Sequence, residues 1–598
     1  MSSSAISPKI AALRELMLQN KIDAWIIPST DPHKSEYVAA HWEAREWISG
    51  FDGSAGTVVI TKDHAGLWTD VRYFLQAEQQ LAGTEMELHR MKMQTAAEHL
   101  EWISLTLPSG SVLGIDGNLF GPSELAQMEK IMSPAGIKIS YKLDLIPLVW
   151  KDRPELPLDP IFEHDTKYSG KTRAEKLDIV RKLMLARQAD YHLINTLDNI
   201  AWLYNLRGRD VECNPVFIAY TVISKNDATL FIDERKVPAE VRSNLAKDGI
   251  AIKPYTEIDS FLATLPANSS VWIDPAVTSL KQADLLDGHT MILADTATKK
   301  LKAIKNPVEI AHLRKCMEKD GIALIRAFRW LEQSLAEGQT PTESEFAGQL
   351  MHSRSLQAGY FGESFYPIVG YNSNGAIIHY RPADEGSAQI KPEGVLLVDS
   401  GGQYTDGTTD ITRTIQLGNA SAEVKTAYTL VLKGHISLAR AVFIAGTNGM
   451  QLDILARQHL WQHHMNYGHG TGHGVGFFLN VHEPPQGFVA VLGERGTTAH
   501  EVGMLTSNEP GYYANGSFGI RIENLVVGAE AGESEYGQFL KFETVTLFPI
   551  DTTLIDMNLM EQGDIAWLNA YHQEVFERLA PQISQEEYSW LKDKCQSI

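Results

Sequence analysis

Carboxylates that end short apolar runs, and imidazoles set among glycines, are the side chains of this sequence that could do chemistry. Gly394-Val395-Leu396-Leu397-Val398-Asp399 closes an apolar run on an acid, and Gly401, Gly402 and Gly407 supply a turn before Thr409-Asp410-Ile411-Thr412-Arg413. A hairpin there brings Asp399 and Asp410 together, and two like charges buried side by side are costly unless a cation neutralises them. By itself the pair reads equally well as a turn-capping Asp and a salt bridge to Arg413. Ile520-Arg521-Ile522-Glu523-Asn524 alternates with period two, which sends Arg521 and Glu523 to one face and the isoleucines to the core. Arg521 could then hold an acid in place while Glu523 binds. Upstream, Asn508-Glu509-Pro510-Gly511 locks another carboxylate, Glu509, in a turn.

Between these acids lies Gly468-His469-Gly470-Thr471-Gly472-His473-Gly474-Val475-Gly476, followed by His482. So much glycine excludes a helix of the HExxH kind and lets the backbone approach a metal or substrate closely. Any one of these histidines alone reads more readily as a surface or hydrogen-bonded imidazole, and His463 and His464 are read that way. His379 closes what reads as a short apolar strand in Gly375-Ala376-Ile377-Ile378-His379. Four carboxylates and one imidazole form a hard, oxygen-rich ligand set that suits Mn²⁺ or Co²⁺ and is too large for one ion with open positions. Two ions would acidify a bridging water and clamp a tetrahedral intermediate, so hydrolysis of an amide is the natural reaction class. Two other signals fail. Gly170-Lys171-Thr172 resembles the end of a phosphate-binding loop, but Asp165 stands where its upstream glycine is required. Ser54 in Gly53-Ser54-Ala55-Gly56 lacks the spacing of a nucleophile elbow.

These residues need elements to position them. From Val395 the texture is strands and glycine turns, broken by helices expected over 422–440 and 452–463. Asn306-Pro307-Val308-Glu309 has an N-cap residue, Pro at the first helical position and Glu to reach back, so a long helix should start there and end at Gly338. After Asp551, the aromatic pattern Trp567, Tyr571, Val575 reads as a packed helical appendage. Further upstream an echo appears: Leu16-Met17-Leu18 lies on Leu183-Met184-Leu185, Asp23 on Asp190, Asp31 on Asp198, and Leu67-Trp68-Thr69-Asp70 on Leu230-Phe231-Ile232-Asp233. Two copies of one α/β module are the simplest reading. Pro154, Pro157 and Pro160 mark the linker between them.

The chain has 598 residues, enough for several domains, with 44% hydrophobic and 21% charged residues, an ordinary globular balance. A net charge of −21 opposes binding to nucleic acid or an anionic membrane surface. Cys213, Cys316 and Cys595 form no CxxC pair, the Ser-rich start has no apolar signal region, and no apolar run is long enough to span a bilayer, so a cytoplasmic protein is expected.

The motifs, in this order and spacing, resemble the pita-bread metallopeptidases, and within them the aminopeptidase P (Xaa-Pro aminopeptidase) family in its long, three-domain form. That resemblance implies five ligands for two divalent ions, typically Mn²⁺. Asp399 would bind one ion, His473 and Glu509 the other, with Asp410 and Glu523 bridging, and Glu509 would also act as general base for a metal-bridging hydroxide. It implies that His379, His469 and His482 bind substrate and stabilise or protonate the collapsing intermediate, and that Arg521 orients a ligand carboxylate. The fold it implies is α/β and α+β: creatinase-like domains over 1–152 and 160–302, a pita-bread catalytic domain over 303–548 and a C-terminal extension over 549–598. It also implies a cytosolic homodimer acting on peptides with proline at the second position. A prolidase confined to dipeptides, and a peptide-binding module without catalysis, are the alternatives.

Overall fold

The computed structural model describes residues 6–92 and 97–598, so the first five residues of the Ser-rich start lie outside it. The chain divides into two compact units, one formed by 1–164 with 171–298, the other by 165–170 with 299–598.

The first unit holds two six-stranded sheets. The first module contains α1 (Ile6–Gln19), β1 (Ala24–Ile27), β2 (Thr57–Thr61), β3 (Ala65–Thr69), β4 (Glu87–Arg90), α2 (Glu98–Thr106), β5 (Val112–Gly114) and β6 (Lys138–Ser140). The second contains α3 (Arg173–Ala186), β7 (Tyr191–Ile194), β8 (Ala219–Ser224), β9 (Ala228–Ile232), β10 (Ile250–Lys253), β11 (Ser270–Ile273) and β12 (Thr290–Leu293). Their strand orders, β4-β3-β2-β1-β5-β6 and β10-β9-β8-β7-β11-β12, are the same. So is the sense of every pairing: the three strands β1, β2 and β3 run antiparallel, as do β7, β8 and β9, and the outer strands join in parallel.

The repeated acids explain part of this likeness. Asp23 accepts from the Val112 amide at 2.8 Å and Asp190 from the Ser270 amide at 2.9 Å, so each latches the start of the parallel neighbour strand. Asp70 and Asp233 each accept from the amide two residues on and grip that residue's guanidinium, Arg72 or Arg235. Asp31 and Asp198 match in spacing only, since Asp31 caps a turn through the His33 and Ser35 amides while Asp198 takes the adjacent Asn199 amide. The stretch with Pro154, Pro157 and Pro160 carries neither helix nor strand.

The second unit is organised on α4 (Pro307–Ala336), which starts with the capping box read from its sequence: Asn306 accepts from the Val308 and Glu309 amides, and Glu309 reaches back. Asp165–Gly170 belongs here because it docks on the start of that helix, Asn306 donating to the Ser169 carbonyl at 2.9 Å and His312 lying 2.8 Å from the Lys167 carbonyl. Next come α5 (Glu343–Ser355), β13 (Ile368–Tyr371), β14 (Val395–Ser400), β15 (Ile411–Gln416), α6 (Ala422–Ala439), β16 (Val442–Ile444) and α7 (Gly449–Trp461). They are followed by β17 (Gly472–Gly474), β18 (Glu483–Phe488), β19 (Leu505–Asn508), β20 (Gly511–Ala514), β21 (Phe518–Arg521), β22 (Asn524–Ser534), β23 (Gly537–Thr544), α8 (Gln562–Leu579) and α9 (Gln585–Lys594). One sheet is β13-β14-β15, another is β16-β23-β22-β19-β17-β18, and β20-β21 forms a hairpin.

Leu313, Met317, Leu324 and Phe328 of α4 share one apolar core with Tyr428 and Val431 of α6, Leu568 and Val575 of α8, and Leu591 of α9. The C-terminal helices are thus part of the core that supports the strands, as the aromatic pattern suggested. No helix among the described residues is long and apolar enough to cross a membrane.

Candidate metal centre

β14 and β15 pair antiparallel with Asp399 opposite Thr412, so the expected hairpin forms, although Asp410 stands just before β15 rather than on it. Arg413 makes no salt bridge with either acid. It is buried and donates to the carbonyls of Thr412, Glu523, Phe548 and Pro549, tying β15 to the chain after β23. The alternation read in 520–524 is interrupted: β21 ends at Arg521, β22 starts at Asn524, and the Glu523 amide donates to the Thr412 carbonyl at 3.1 Å. Both isoleucines are still fully buried, as the alternation required. His379 closes no strand. Asn372–Ala376 is a short 3₁₀ turn and His379 follows in a turn, where the neighbouring Ile378 carbonyl lies 3.4 Å from the Arg521 guanidinium.

His473 sits in β17, which pairs with β18 and β19. The glycines flanking it serve close strand packing. A Cβ on Gly472 would come 1.9 Å from the Ser507 carbonyl oxygen and one on Gly474 2.2 Å from that of Glu483. The glycine run is therefore spent on bringing backbones together around an imidazole, which sharpens the expectation that it makes room for a ligand. His473 Nδ1 lies 3.0 Å from the Gly474 carbonyl, which can only accept, so the proton sits there and Nε2 turns its lone pair toward Asp410 and Glu509, at 3.6 and 3.4 Å. A second hydrogen bond that fixes the tautomer is the usual companion of a ligating imidazole.

The acids converge on this nitrogen. Ligand atoms of Asp410, His473 and Glu523 all lie within 4.8 Å of one another, and all three residues are buried. Ser507 Oγ donates to Glu509 at 3.2 Å, while Thr412 Oγ1 donates to Glu523 at 2.8 Å and accepts from Arg521 at 3.2 Å. Arg521 also reaches Asp399 Oδ2 at 2.6 Å and the Tyr513 hydroxyl at 2.6 Å, and that hydroxyl lies 2.9 Å from His469 Nε2. His482 packs edge-on to His473 with ring centres 4.2 Å apart. The structure thus gathers Asp399, Asp410, His473, Glu509, Glu523, Arg521, His469 and His482, with His379 joined to them through its neighbour Ile378. Thr412, Ser507 and Tyr513 also belong to the site. Tyr513 could have been found from its place two residues after Gly511, whereas the hydroxyls of Thr412 and Ser507 carry no signal in sequence.

Charge makes the arrangement costly without a cation. Burial, and then the neighbouring carboxylates, push Asp410 and Glu523 well above the usual carboxylate range. Glu509 is raised to about 8, chiefly by burial. Asp399 Oδ1 and Glu523 Oε1 are buried and no donor group of the protein reaches them. Buried acceptors left in this way call for a partner. Four acids with one guanidinium, two orphaned oxygens and a lone pair aimed among them fit a pair of divalent ions.

Comparisons with known proteins agree with this geometry. The family model described as Creatinase/Prolidase N-terminal domain matches residues 9–144 and, in a second form, 152–309. Metallopeptidase family M24 matches 311–530, and the C-terminal region of peptidase M24 matches 538–598. A probable Xaa-Pro aminopeptidase P of Coprinopsis cinerea is 40% identical, covering 98% of this chain and 97% of that protein. Aminopeptidase P2 of Arabidopsis thaliana is 39% identical over 96% of this chain and 86% of that one. Among solved structures, the X-prolyl aminopeptidase of Caenorhabditis elegans, described as a cytosolic enzyme with a di-nuclear active site, superposes with a TM-score of 0.94 at 33% identity over 100% of both chains.

Proposed function

This chain belongs to the Xaa-Pro aminopeptidase P family of M24 metallopeptidases, with two creatinase-like modules ahead of a pita-bread fold, and we propose how its residues perform that hydrolysis. Asp399, Asp410, His473, Glu509 and Glu523 hold two divalent ions, and the oxygen-rich set favours Mn²⁺. When bound, such ions polarise a carbonyl and make water acidic enough to attack at neutral pH. The observation that carries this reading is the convergence of buried ligand atoms with oxygens the protein leaves unpaired.

Glu509, held by Ser507, is the base that takes a proton from the attacking water. Arg521 fixes Asp399, and Thr412 ties Arg521 to Glu523, so the carboxylates keep their spacing as charge moves. His379, His469 and His482 bind the substrate and supply the proton that the departing proline nitrogen must gain. The Tyr513 hydroxyl orients His469. An Xaa-Pro bond is a tertiary amide with no N–H, so a site that requires that donor rejects it and a dedicated one is needed. The acidic ligand set and a net charge of −21 favour a substrate that brings a cationic N-terminus.

We assign 1–152 and 160–302 to the creatinase-like domains, 303–548 to the catalytic domain and 549–598 to the extension, and place the enzyme in the cytosol as a homodimer. Release of the first residue from Arg-Pro-Pro, compared with Arg-Ala-Pro and the dipeptide Ala-Pro after chelation and after Mn²⁺ addition, tests the function. Manganese-dependent cleavage of Arg-Pro-Pro alone is expected. Cleavage of Ala-Pro alone would make it a prolidase, and no cleavage would leave a peptide-binding module.

A further inference from the structure

A second cluster, unused by the peptidase chemistry, lies in the first module. His64, Gly66 and Trp68 follow one another at alternate positions into and along β3, and Glu87 and His89 do so on the edge strand β4, with Gly66 beside Glu87 and Trp68 beside His89. Alternate residues share a face of the sheet. On that face His64 Nε2 and His89 Nε2 stand 3.1 Å apart, and His64 Nδ1 lies 3.6 Å from Glu87 Oε2. An ion bonded to imidazole nitrogens at about 2.0–2.1 Å in tetrahedral geometry needs those nitrogens roughly 3.3 Å apart. The pair already stands near that separation.

The rings are held there. His89 stacks on Trp68 with centres 3.8 Å apart, and His64 lies 4.6 Å from Trp102 of α2. Glycine at 66 keeps the space open, since a Cβ there would come 2.6 Å from His64 Nε2 and 2.9 Å from His89 Cδ2. Burial lowers the pKa of both imidazoles, which favours the neutral form that ligates.

We propose that His64 and His89 form a peripheral site for an imidazole-seeking divalent ion, Cu²⁺ or Zn²⁺, with the Glu87 carboxylate standing behind His64 at 3.6 Å from Nδ1. Its negative charge favours the proton on Nδ1 and so the tautomer that presents Nε2, the sense in which outer carboxylates strengthen metal-bound histidines. Two protein nitrogens leave the other positions to water or a small ligand. Cu²⁺ binds more tightly than Zn²⁺ at such nitrogens, so it is the probe to use.

Equilibrium dialysis of the Mn²⁺-loaded enzyme against micromolar Cu²⁺, with bound copper counted and indole fluorescence followed, tests the site. The native chain should hold one more Cu²⁺ than either His64→Phe or His89→Phe, and only the native chain should show quenching from Trp68 and Trp102. Hydrolysis of Arg-Pro-Pro should be the same in all three. Equal copper in all three would overturn the proposal and leave a hydrogen-bonded imidazole pair. Glu87→Gln alters a side chain that is 67% exposed, so the fold tolerates it, and it should weaken Cu²⁺ binding at least about tenfold. Unchanged affinity in that variant would overturn the role given to Glu87.

Discussion

Two clusters of buried acids meet at consecutive residues of β14, and the protein treats them in opposite ways. Beside Ser400, the Arg354 guanidinium contacts Asp320 at 2.8 Å, Glu363 at 3.1 Å and the Ser400 hydroxyl at 3.1 Å. Tyr404 and Tyr360 hydroxyls satisfy the same acids at 2.8 and 2.7 Å. Beside Asp399, four acids share one guanidinium and two orphaned oxygens remain. The fold can pair buried carboxylates with its own cation where it needs support, so leaving four of them short of protein donors one residue away points to a cation supplied from outside.

The contrast can be broken by variants that act on one cluster each. The largest effect belongs to the chemistry: Glu509→Gln should lower kcat about 10²–10⁴-fold on Arg-Pro-Pro with thermal unfolding of the metal-free protein no worse than native. Steady-state kinetics with a melting curve checks both halves. Next in size, Arg354→Ala leaves Asp320 and Glu363 buried without a cation and should cost about 3–5 kcal/mol in denaturant unfolding. Asp410→Asn in the metal-free protein should stabilise, because it removes the cost of protonating a carboxyl that burial and its acidic neighbours will not let ionise. Destabilisation by both would erase the distinction between the clusters.

Titration sharpens the same comparison. Glu509 is raised to about 8, and Asp410 and Glu523 are raised as well, so between the ordinary carboxylate range and that value the folded chain holds more protons than the unfolded one. Stability of the metal-free protein therefore falls as pH rises through this window. Divalent ions should reverse the trend, since their affinity grows as protons leave. Chemical unfolding at several pH values with and without Mn²⁺ gives the two slopes, and parallel slopes would contradict the assignment. The smallest effect is expected for Thr412→Val, which removes one hydroxyl between Glu523 and Arg521. About tenfold in kcat, read from initial rates, corresponds to a single hydrogen bond to a charged group.

Much of this site is legible in the residues because acids at strand ends and histidines among glycines have few cheap structural explanations. The helix at Asn306 and the duplicated module were equally readable, the first from capping chemistry and the second from Asp23 and Asp190, which repeat a strand latch. Other features depend on partners far away in sequence. Arg413 reads in sequence as a salt-bridge partner for one of the two acids, yet the backbone carbonyls of Phe548 and Pro549 claim it. His379 looked like the end of a strand, but Gly375 packs against Gly519 so closely that a Cβ on Gly519 would lie 1.7 Å from the Gly375 carbonyl oxygen, and the segment turns instead. Period-two alternation gave the burial of Ile520 and Ile522 correctly and missed the break at Ile522 and Glu523, whose amides donate to the Pro510 and Thr412 carbonyls.

One buried charge group bears on how the enzyme can be dissected. Glu483, adjacent to His482, is fully buried against Lys302 at 2.7 Å and against Lys305, both of them buried too. Those lysines precede residue 311, where the match to the M24 family begins. A fragment trimmed to that boundary would strip both cations from a carboxylate that cannot reach water, a loss of about 3–5 kcal/mol next to His482. The border drawn by sequence likeness is thus not the border of the compact unit, which takes in the chain from Lys299 and so keeps both lysines.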